Sequence, residues 1–260
     1  MKNCLSQLKF ANLIFLNLRI QDYETVALFD TGAVKTVISQ SLFEKLSVKT
    51  TGSLNAGNNN GAIRKLRVAN VSDVQIGDVF LNKLETVVTD DEDFILYDDN
   101  EHLFPAQILL GWDVISLFSW NYSAKNDCLT VNVSNRKPIL SNSNAKQGQI
   151  PIVYPKYSGR RFKAAVDTGH TDSVLSIAWQ NRLPKIDFRE TEIIGIGSTK
   201  RTTTPYVKNF EITFQNHSIC LHHLDICEKI YGRAADVEAL FGFDFLEKRD
   251  WQLDLDFKLL

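Results

Sequence analysis

The sequence contains only four cysteines in 260 residues, and none of them forms a Cys-x-x-Cys pair. A small fold stapled by disulfides is therefore excluded, and the low cysteine content favours a reduced, intracellular protein. A large charge of one sign is also missing, since 29 Lys and Arg residues face 31 Asp and Glu residues. The formal net charge of −2 lacks the positive field with which nucleic-acid-binding proteins attract phosphates. We therefore expect no nucleic-acid partner.

Long apolar runs are missing as well. The longest, residues 10–20, is interrupted by Asn12, Asn17 and Arg19, whereas a membrane-spanning helix needs about 20 apolar residues. No small-residue cleavage site follows this run before the first motif, unlike in a secretory signal peptide. We therefore expect no membrane span and a cytoplasmic location. A secretory signal removed before residue 1 would leave the same sequence.

Helical periodicity is rare in the sequence. It is limited to three short segments, whereas several runs alternate between apolar and polar residues, as half-buried strands do. The hydrophobic content of 44% is enough for a sizeable core. The sequence thus predicts an all-β chain with short helices at 41–46, 114–118 and 234–240, and with strands such as 67–76 and 206–214.

The chain contains one sequence unit written twice. Residues 26–39 match residues 163–176, and both segments contain Asp-Thr-Gly at the end of an apolar run. A second pair of matching segments follows in the same order, at 108–115 and 239–246. A polar stretch without apolar residues at its ends separates the two units. The sequence therefore predicts an N-terminal lobe at 1–140, a linker at 141–148 and a C-terminal lobe at 149–260.

Asp30 and Asp167 are the candidate catalytic residues. Each follows a predicted buried strand and precedes a glycine that lets the chain turn sharply. If the two units pack about a pseudo-twofold axis, the two carboxylates meet there and share one proton, because two adjacent like charges cannot both form cheaply. One carboxyl group can then act as a base and the other as an acid on a water molecule. The threonine after each aspartate has a hydroxyl that can bond to the backbone of the opposite unit.

With these residues the sequence resembles the aspartic peptidases of the retropepsin and pepsin type. The resemblance rests on Asp30-Thr31-Gly32-Ala33, on Asp167-Thr168-Gly169 and on the segments 109–111 and 240–242, which cross behind the aspartates in that family. It implies two closed β-barrel lobes related by a pseudo-twofold axis, with a cleft between them for an extended peptide. It also implies no cofactor and no metal ion. Since one chain holds both half-sites, we expect a monomer.

The family covers the cleft with hairpin flaps that contain glycine. The candidate flap residues by this resemblance are Gly57, Asn59 and Gly61 in the first lobe and Gly195 and Gly197 in the second. No tyrosine lies between Thr50 and Phe94, so the flap tyrosine of pepsins is absent and the retropepsins are the closer comparison.

His170 departs from the family pattern, in which a small residue follows the second glycine. The residues that follow each aspartate are expected to support the dyad, and His170 is one of them. They are Thr31, Gly32, Ala33, Thr168, Gly169 and His170. The imidazole of His170 could lower the pKa of the dyad, crowd the site or point away. We expect a bell-shaped pH profile of activity with an optimum at about pH 4–6, whose acidic limb moves upward in His170→Ala because a positive neighbour of Asp167 is removed.

Two other groups of residues are candidates for metal binding. The set between His217 and Cys227 has suitable side chains, but its alternation along a strand predicts that they cannot all converge. The acidic run 85–101 is expected to be a solvated loop, with a cation site or a surface for basic substrate segments as the alternative. The metal-type residues are His217, Cys220, His222, His223, Asp225 and Cys227.

Two functions are compatible with the sequence. The first is an aspartic endopeptidase that hydrolyses protein or peptide substrates with Asp30 and Asp167. The second is a catalytically silent module that binds peptides or serves as a scaffold in the same fold. A pure binding protein would have no need for two carboxylates that repel each other. The sequence therefore favours the enzyme.

Overall fold

The computed structural model of the chain describes residues 4–8, 10, 13–57, 63–97, 103–133, 150–195, 198–228, 230, 237–254 and 257–260. Within these residues, three short α-helices and two 3₁₀ helices accompany the strands, as the alternating sequence pattern predicts. The helices are α1 (Gln40–Lys45), α2 (Trp112–Ile115) and α3 (Phe243–Leu246), and the 3₁₀ helices are Asp91–Phe94 and Ile177–Trp179. The prediction of a helix at 234–240 is wrong at its C-terminal end, because residue 239 begins a strand that is paired with one strand on each side.

The first lobe is a closed barrel of six strands. Its sheet has eight strands in the order β1-β2-β3-β8-β4-β7-β6-β5. A further pairing of β2 with β6 at Ile20 and Val74 closes the six strands from β2 to β6 into a ring, and β1 and β5 lie outside it. Inward-facing side chains of β2 and β6 alternate with exposed ones, which is why these runs fold as strands. The strands are β1 (Ser6–Leu8), β2 (Phe15–Ile20), β3 (Tyr23–Phe29), β4 (Val37–Ser39), β5 (Thr50–Gly57), β6 (Ile63–Ile76), β7 (Val79–Thr89) and β8 (Ile108–Leu110).

Two further strands, β9 (Phe118–Ser123) and β10 (Cys128–Val133), form a hairpin after the first barrel. The second lobe follows. Its strands are β11 (Ile152–Val153), β12 (Lys156–Tyr157), β13 (Arg160–Arg161), β14 (Ala164–Val166), β15 (Val174–Ser176), β16 (Asp187–Gly195), β17 (Ser198–Phe214), β18 (His217–Cys227), β19 (Ala239–Phe241), β20 (Trp251–Leu253) and β21 (Phe257–Leu259).

The second lobe is a curled half-barrel with the sheet order β11-β14-β19-β15-β18-β17-β12-β13, and β16 pairs with β17. Its first strand is broken between β11 and β12 at Pro155, which has no N–H to donate to a ladder. The carbonyl oxygen of Pro155 instead accepts a hydrogen bond from the N–H of Phe162 at 3.1 Å. The prediction of an all-β, two-lobe fold is confirmed, with one closed and one half-closed barrel.

A four-stranded sheet joins the lobes in the order β10-β9-β20-β21. Its central pairing is antiparallel, and Trp251 of the second lobe lies opposite Tyr122 of the first. The two rings stack with centroids 5.4 Å apart. Phe29, at the end of β3, packs against Trp120 at 4.8 Å. One continuous hydrophobic core therefore extends from one lobe into the other, and it supports the strand that ends at Asp30.

The cysteines depart from the expectation of a reduced chain. Cys4 and Cys128 form a disulfide, with Cα atoms 5.4 Å apart, while Cys220 and Cys227 are free. Sequence separation hid this pair, because the residues lie 124 positions apart. The N–H of Leu5 donates a hydrogen bond to the carbonyl oxygen of Leu129 at 2.9 Å. The N-terminal segment is thereby held against the joining sheet.

Within the ranges described above, no helix combines the length and the apolar character that crossing a membrane requires.

Candidate active site

The two repeated motifs deliver Asp30 and Asp167 to the boundary between the lobes. In the first lobe β3 lies parallel to β8, and the N–H of Asp30 donates to the carbonyl oxygen of Leu110 at 3.1 Å. In the second lobe β14 lies parallel to β19, and the N–H of Asp167 donates to Phe241 at 2.8 Å. Strands buried at their ends therefore fix the backbone of both aspartates.

The carboxyl groups of Asp30 and Asp167 lie close enough to each other for their interaction to shift the pKa of both. Backbone N–H groups also bind them. Oδ1 of Asp30 accepts from Gly32 at 2.8 Å and from Ala33 at 2.9 Å, whereas Oδ1 of Asp167 accepts from Gly169 at 3.0 Å. The structure thus brings together the two residues that the sequence singles out, each with its carboxylate against the glycine of the opposite motif.

Burial and mutual repulsion change the acidity of the pair. Burial raises the pKa of Asp30 to about 8, and the negative charge of Asp167 adds to that increase. Burial also raises the pKa of Asp167, while N–H donors from Gly169 and Gly32 and a hydrogen bond from Asp30 oppose this rise. Because both pKa values are raised and the two charges repel each other, the pair loses its two protons in separate steps, and between these steps one carboxyl group is protonated and the other is ionised.

Thr31 and Thr168 lock the two lobes together beneath the dyad. Each hydroxyl donates across the boundary, from Thr31 to the carbonyl oxygen of Val166 at 2.7 Å and from Thr168 to that of Phe29 at 2.6 Å. Each also accepts from the backbone N–H of the other threonine at 3.0 Å. Both residues are 1% exposed. These reciprocal bonds are the contacts that the sequence predicts for the threonines, and water cannot compete for them.

Gly32 and Gly169 are required by the close approach of the two lobes. A Cβ atom built on Gly169 would lie 2.6 Å from Oδ1 and 2.7 Å from Oδ2 of Asp30, and a Cβ on Gly32 would overlap the carboxylate of Asp167. Any larger residue would therefore push the opposite aspartate out of place.

A second layer of polar residues, which the sequence analysis missed, supports both motifs. Oδ1 of Asp113 accepts from the hydroxyl of Thr36 at 2.8 Å, and that hydroxyl accepts from the N–H of Gly111 at 3.1 Å. In the second lobe Asp244 and Ser173 form the same arrangement with Gly242, at 2.6 and 3.1 Å. The signal was present in the repeat, because these residues occupy matching positions in both units.

His170 does not direct its ring to the dyad. Its Nδ1 lies 2.6 Å from the carbonyl oxygen of Asp172, and its backbone N–H donates to the carbonyl oxygen of Asp167 at 3.3 Å. The pKa of the Asp167 carboxyl is shifted by its burial, by two glycine N–H groups and by Asp30, and the imidazole of His170 is not among these causes. Of the alternatives for His170, this geometry supports a ring that points away.

The pH dependence of activity follows from this arrangement. We expect kcat/KM to fall as the pH rises through about 8, where Asp30 loses the proton of the dyad. It should also fall in acid as Asp167 becomes protonated. His170→Ala should leave both limbs of the profile in place, because the imidazole does not act on either carboxyl. Measuring kcat/KM against pH for both proteins checks this, and an acidic limb that moves in the variant would contradict it.

The candidate flaps are long hairpins, β5 with β6 and β16 with β17. Gly57 ends β5 opposite Ile63, and Gly195 ends β16 opposite Ser198. Asn59, Gly61 and Gly197 lie outside the described residues, as does the predicted linker 141–148.

Two aspartates of the acidic run form ion pairs with an arginine of the same chain. Arg64, near the end of the first hairpin, donates to both carboxylate oxygens of Asp93 at 2.8 and 2.7 Å and to Asp90 at 2.7 Å. This fork ties the first hairpin to the 3₁₀ helix Asp91–Phe94. Residues 98–101 of the run lie outside the described residues.

The metal-type residues of β18 do not converge. His222 bonds to Asn209 at 2.9 Å, and Asp225 pairs with Arg189 at 2.8 Å. Within the part of the chain that the structure describes, no three His, Cys, Asp or Glu side chains form a group able to hold a metal ion. Two surface cavities of about 570 and 560 Å³ flank the turn at Gln215 and Asn216. Neither includes a dyad residue in its lining.

Two family models match the chain, one in each lobe. Residues 16–116 match the family model described as "gag-polyprotein putative aspartyl protease", and residues 147–254 match the model "Retroviral aspartyl protease". Among solved structures, the chain is similar to a retropepsin-like aspartic protease from Rickettsia conorii. That match has 17% identity and a TM-score of 0.35, and covers 51% of this chain and 91% of the other. None of the curated proteins compared with the chain matches it.

Proposed function

Because the chain is a two-lobe retropepsin-like protein with aspartyl protease domains in tandem, we propose that it is an aspartic endopeptidase in which Asp30 and Asp167 form the catalytic dyad. The observation that supports the proposal is the pair of adjacent, half-buried carboxyl groups at the boundary between the lobes, each held by backbone N–H groups of its own motif. A module that only binds peptides gains nothing from placing two carboxyl groups that repel each other side by side.

In the proposed reaction, ionised Asp167 takes a proton from a water molecule, whose oxygen attacks the carbonyl carbon of the peptide bond. Protonated Asp30 gives its proton to the carbonyl oxygen, so the tetrahedral intermediate is neutral. The C–N bond then breaks, the leaving nitrogen takes the proton held by Asp167, and an intermediate hydroxyl returns a proton to Asp30. The dyad ends as it began, with one proton.

We also propose that this chain acts as a monomer, with the first lobe at 1–140 and the second at 149–260. The sheet β10-β9-β20-β21 and the threonine lock already join two half-sites within one chain. Light scattering of the active protein should therefore give a mass of 29.5 kDa. Activity that appears only in a dimer would contradict a site completed by one chain.

The proposed activity is tested with a denatured protein and with a peptide library as substrates, between about pH 3 and 9. A statine-containing peptide, which resembles the tetrahedral intermediate, serves as the inhibitor. We expect cleavage that the statine peptide blocks. A chain that binds the statine peptide but cleaves no substrate would instead support the silent peptide-binding module.

A further inference from the structure

A cavity of about 560 Å³ lies where the second lobe meets the joining sheet. We name it the turn cavity, because the turn at Gln215 and Asn216 forms part of its wall. Its volume is typical of a site for a small molecule. β17 runs from Ser198, at the loop of the second candidate flap, to Phe214 at this turn. The turn cavity therefore lies at the end of β17 away from that loop.

Three cationic side chains line the turn cavity from two different sheets. Lys156 on β12 and Arg161 on β13 belong to the half-barrel, whereas Lys258 on β21 belongs to the joining sheet. Among the described residues, the lining includes no Asp or Glu side chain. Three positive charges thus face one volume whose walls supply no negative charge.

Two of these charges lie directly opposite each other. Lys156 and Arg161 are partners across the antiparallel pair β12–β13, and the Cβ atoms of such partners are about 4.5–5.5 Å apart. Like charges in these positions destabilise a hairpin. Within the described ranges, neither side chain forms an ion pair or a hydrogen bond, and the same holds for Lys258. The repulsion is therefore not compensated by the part of the chain that the structure describes.

Arg161 is oriented by an aromatic ring. Its Cζ lies 5.4 Å from the centroid of Tyr154, which is half exposed and also lines the cavity. A contact of this kind restricts the side chain but leaves the N–H groups of the guanidinium available. Because these N–H groups form a planar fork, they can bind two oxygens of one phosphate group.

Apolar side chains form another part of the wall. Phe214 and Phe257 both line the cavity, and their rings stack with centroids 6.4 Å apart. Thr213 and Asn216 add a hydroxyl and an amide, and within the described residues neither of these side chains has a hydrogen-bond partner. The cavity thus combines a cationic wall, an aromatic wall and two neutral polar groups.

From these contacts we propose that the turn cavity binds a phosphate monoester that carries an apolar or aromatic organic group. The phosphate binds between Lys156, Arg161 and Lys258, where its two negative charges remove the repulsion between the first two. The organic group packs against Phe214 and Phe257. A phosphate fits better than a carboxylate, because it offers more charge and three strong acceptor oxygens to cations that approach from two walls. This site is separate from the proposed dyad and does not depend on turnover.

Calorimetric titration of the full chain with phenyl phosphate at about pH 7.5, where the ester is a dianion, tests the proposal. The comparison ligands are phenyl sulfate, which has one negative charge, inorganic phosphate, which has no organic group, and benzyl alcohol, which has no charge. We expect phenyl phosphate to bind at least about tenfold more tightly than each of them. Its affinity should fall when the salt concentration is raised from about 0.05 M to about 0.3 M. No binding, or equal Kd values for phenyl phosphate and benzyl alcohol, would overturn the proposal.

Variants assign the binding to this cavity. Lys156→Gln and Arg161→Gln should each weaken the binding of phenyl phosphate by about tenfold. Without ligand, each should keep or raise the Tm of the wild type, because the repulsion between the two residues is gone. Lys125→Gln is the matched control, since Lys125 is an exposed lysine that lines the neighbouring cavity, and its Kd should stay unchanged. Unchanged binding in the double variant Lys156→Gln/Arg161→Gln would contradict the assignment.

Two further ligands identify the source of the phosphate. A short peptide that contains phosphotyrosine is compared with phenyl phosphate. Tighter binding of the peptide supports the site with the side chain of a partner protein as its ligand, and weaker binding supports it with a free small molecule. An unphosphorylated peptide rich in glutamate is the second ligand. If it binds and no phosphate monoester does, the surface recognises acidic protein segments and the proposal is wrong. Since no substrate is cleaved in these titrations, their outcome is independent of the proposed activity.

Discussion

Replacing either Asp30 or Asp167 with asparagine is expected to lower kcat/KM by at least about a thousandfold. Asparagine has the shape of aspartate, but its amide can neither take a proton from water nor give one to the carbonyl oxygen. Because the two carboxyl groups share one proton, each single variant should lose nearly as much as the double variant. The rates are measured on one peptide at the optimum pH, with Asp22→Asn as the exposed control. Residual activity above about a tenth in either variant would remove that residue from the dyad.

Asp30→Asn should also raise the stability of the folded protein at high pH, and this increase would show that the inactive variant is folded. Burial raises the pKa of Asp30 from 3.8 to about 8, so between these values the folded state binds more protons than the unfolded state. The stability of the wild type therefore falls as the pH rises from about 4 to about 8. Asp30→Asn removes this loss, and we expect its Tm to exceed that of the wild type by at least about 2–4 °C at pH 8. At about pH 3.5 the advantage should vanish.

Replacing Gly169 with alanine should strongly reduce turnover through a single added methyl group. The Cβ would meet both carboxylate oxygens of Asp30 within 2.7 Å, so Asp30 has to move away from Asp167. Overpacking of this kind costs about 1–3 kcal/mol. We expect kcat/KM to fall by about a hundredfold or more, since misplacing a reacting group by about 1 Å has this effect, and Tm to decrease.

Gly52→Ala is the control for the added methyl group. A Cβ at Gly52, on the exposed strand β5, would meet no atom within 4 Å. Its activity and Tm should stay close to those of the wild type. If Gly169→Ala keeps the activity of Gly52→Ala, the two lobes do not approach each other as closely as the structure indicates.

The repeat explains why much of this site could be predicted from the sequence. Two copies of Asp-Thr-Gly and of the later glycine segment identify the dyad, the threonine lock and the two lobes without any measured distance. The sequence did not predict two hydrogen bonds, that of Thr36 with Asp113 and that of Ser173 with Asp244, although these residues repeat in the same way. A hydroxyl and a carboxylate that lie far apart in the sequence give no sign there that they bond.

Other features of the structure could not be predicted from residues that are neighbours in the sequence. The disulfide of Cys4 and Cys128 depends on two strands brought together only in the folded chain. The proline at position 155 indicates a break in the strand, since proline interrupts a ladder of hydrogen bonds. The sequence does not show whether the barrel closes, because closure depends on how the neighbouring strands pair. The direction of the His170 ring is likewise fixed by the carbonyl oxygen of Asp172, a contact that sequence spacing leaves undetermined.

The sheet that joins the lobes has a consequence for the order of events during synthesis. β9 leaves the ribosome early, but its partner β20 follows more than a hundred residues later, and pairing over such a separation forms late. On the proposed function, a nascent chain with only its first lobe folded holds one of the two catalytic aspartates, and the catalytic pair is complete only after the second lobe has folded.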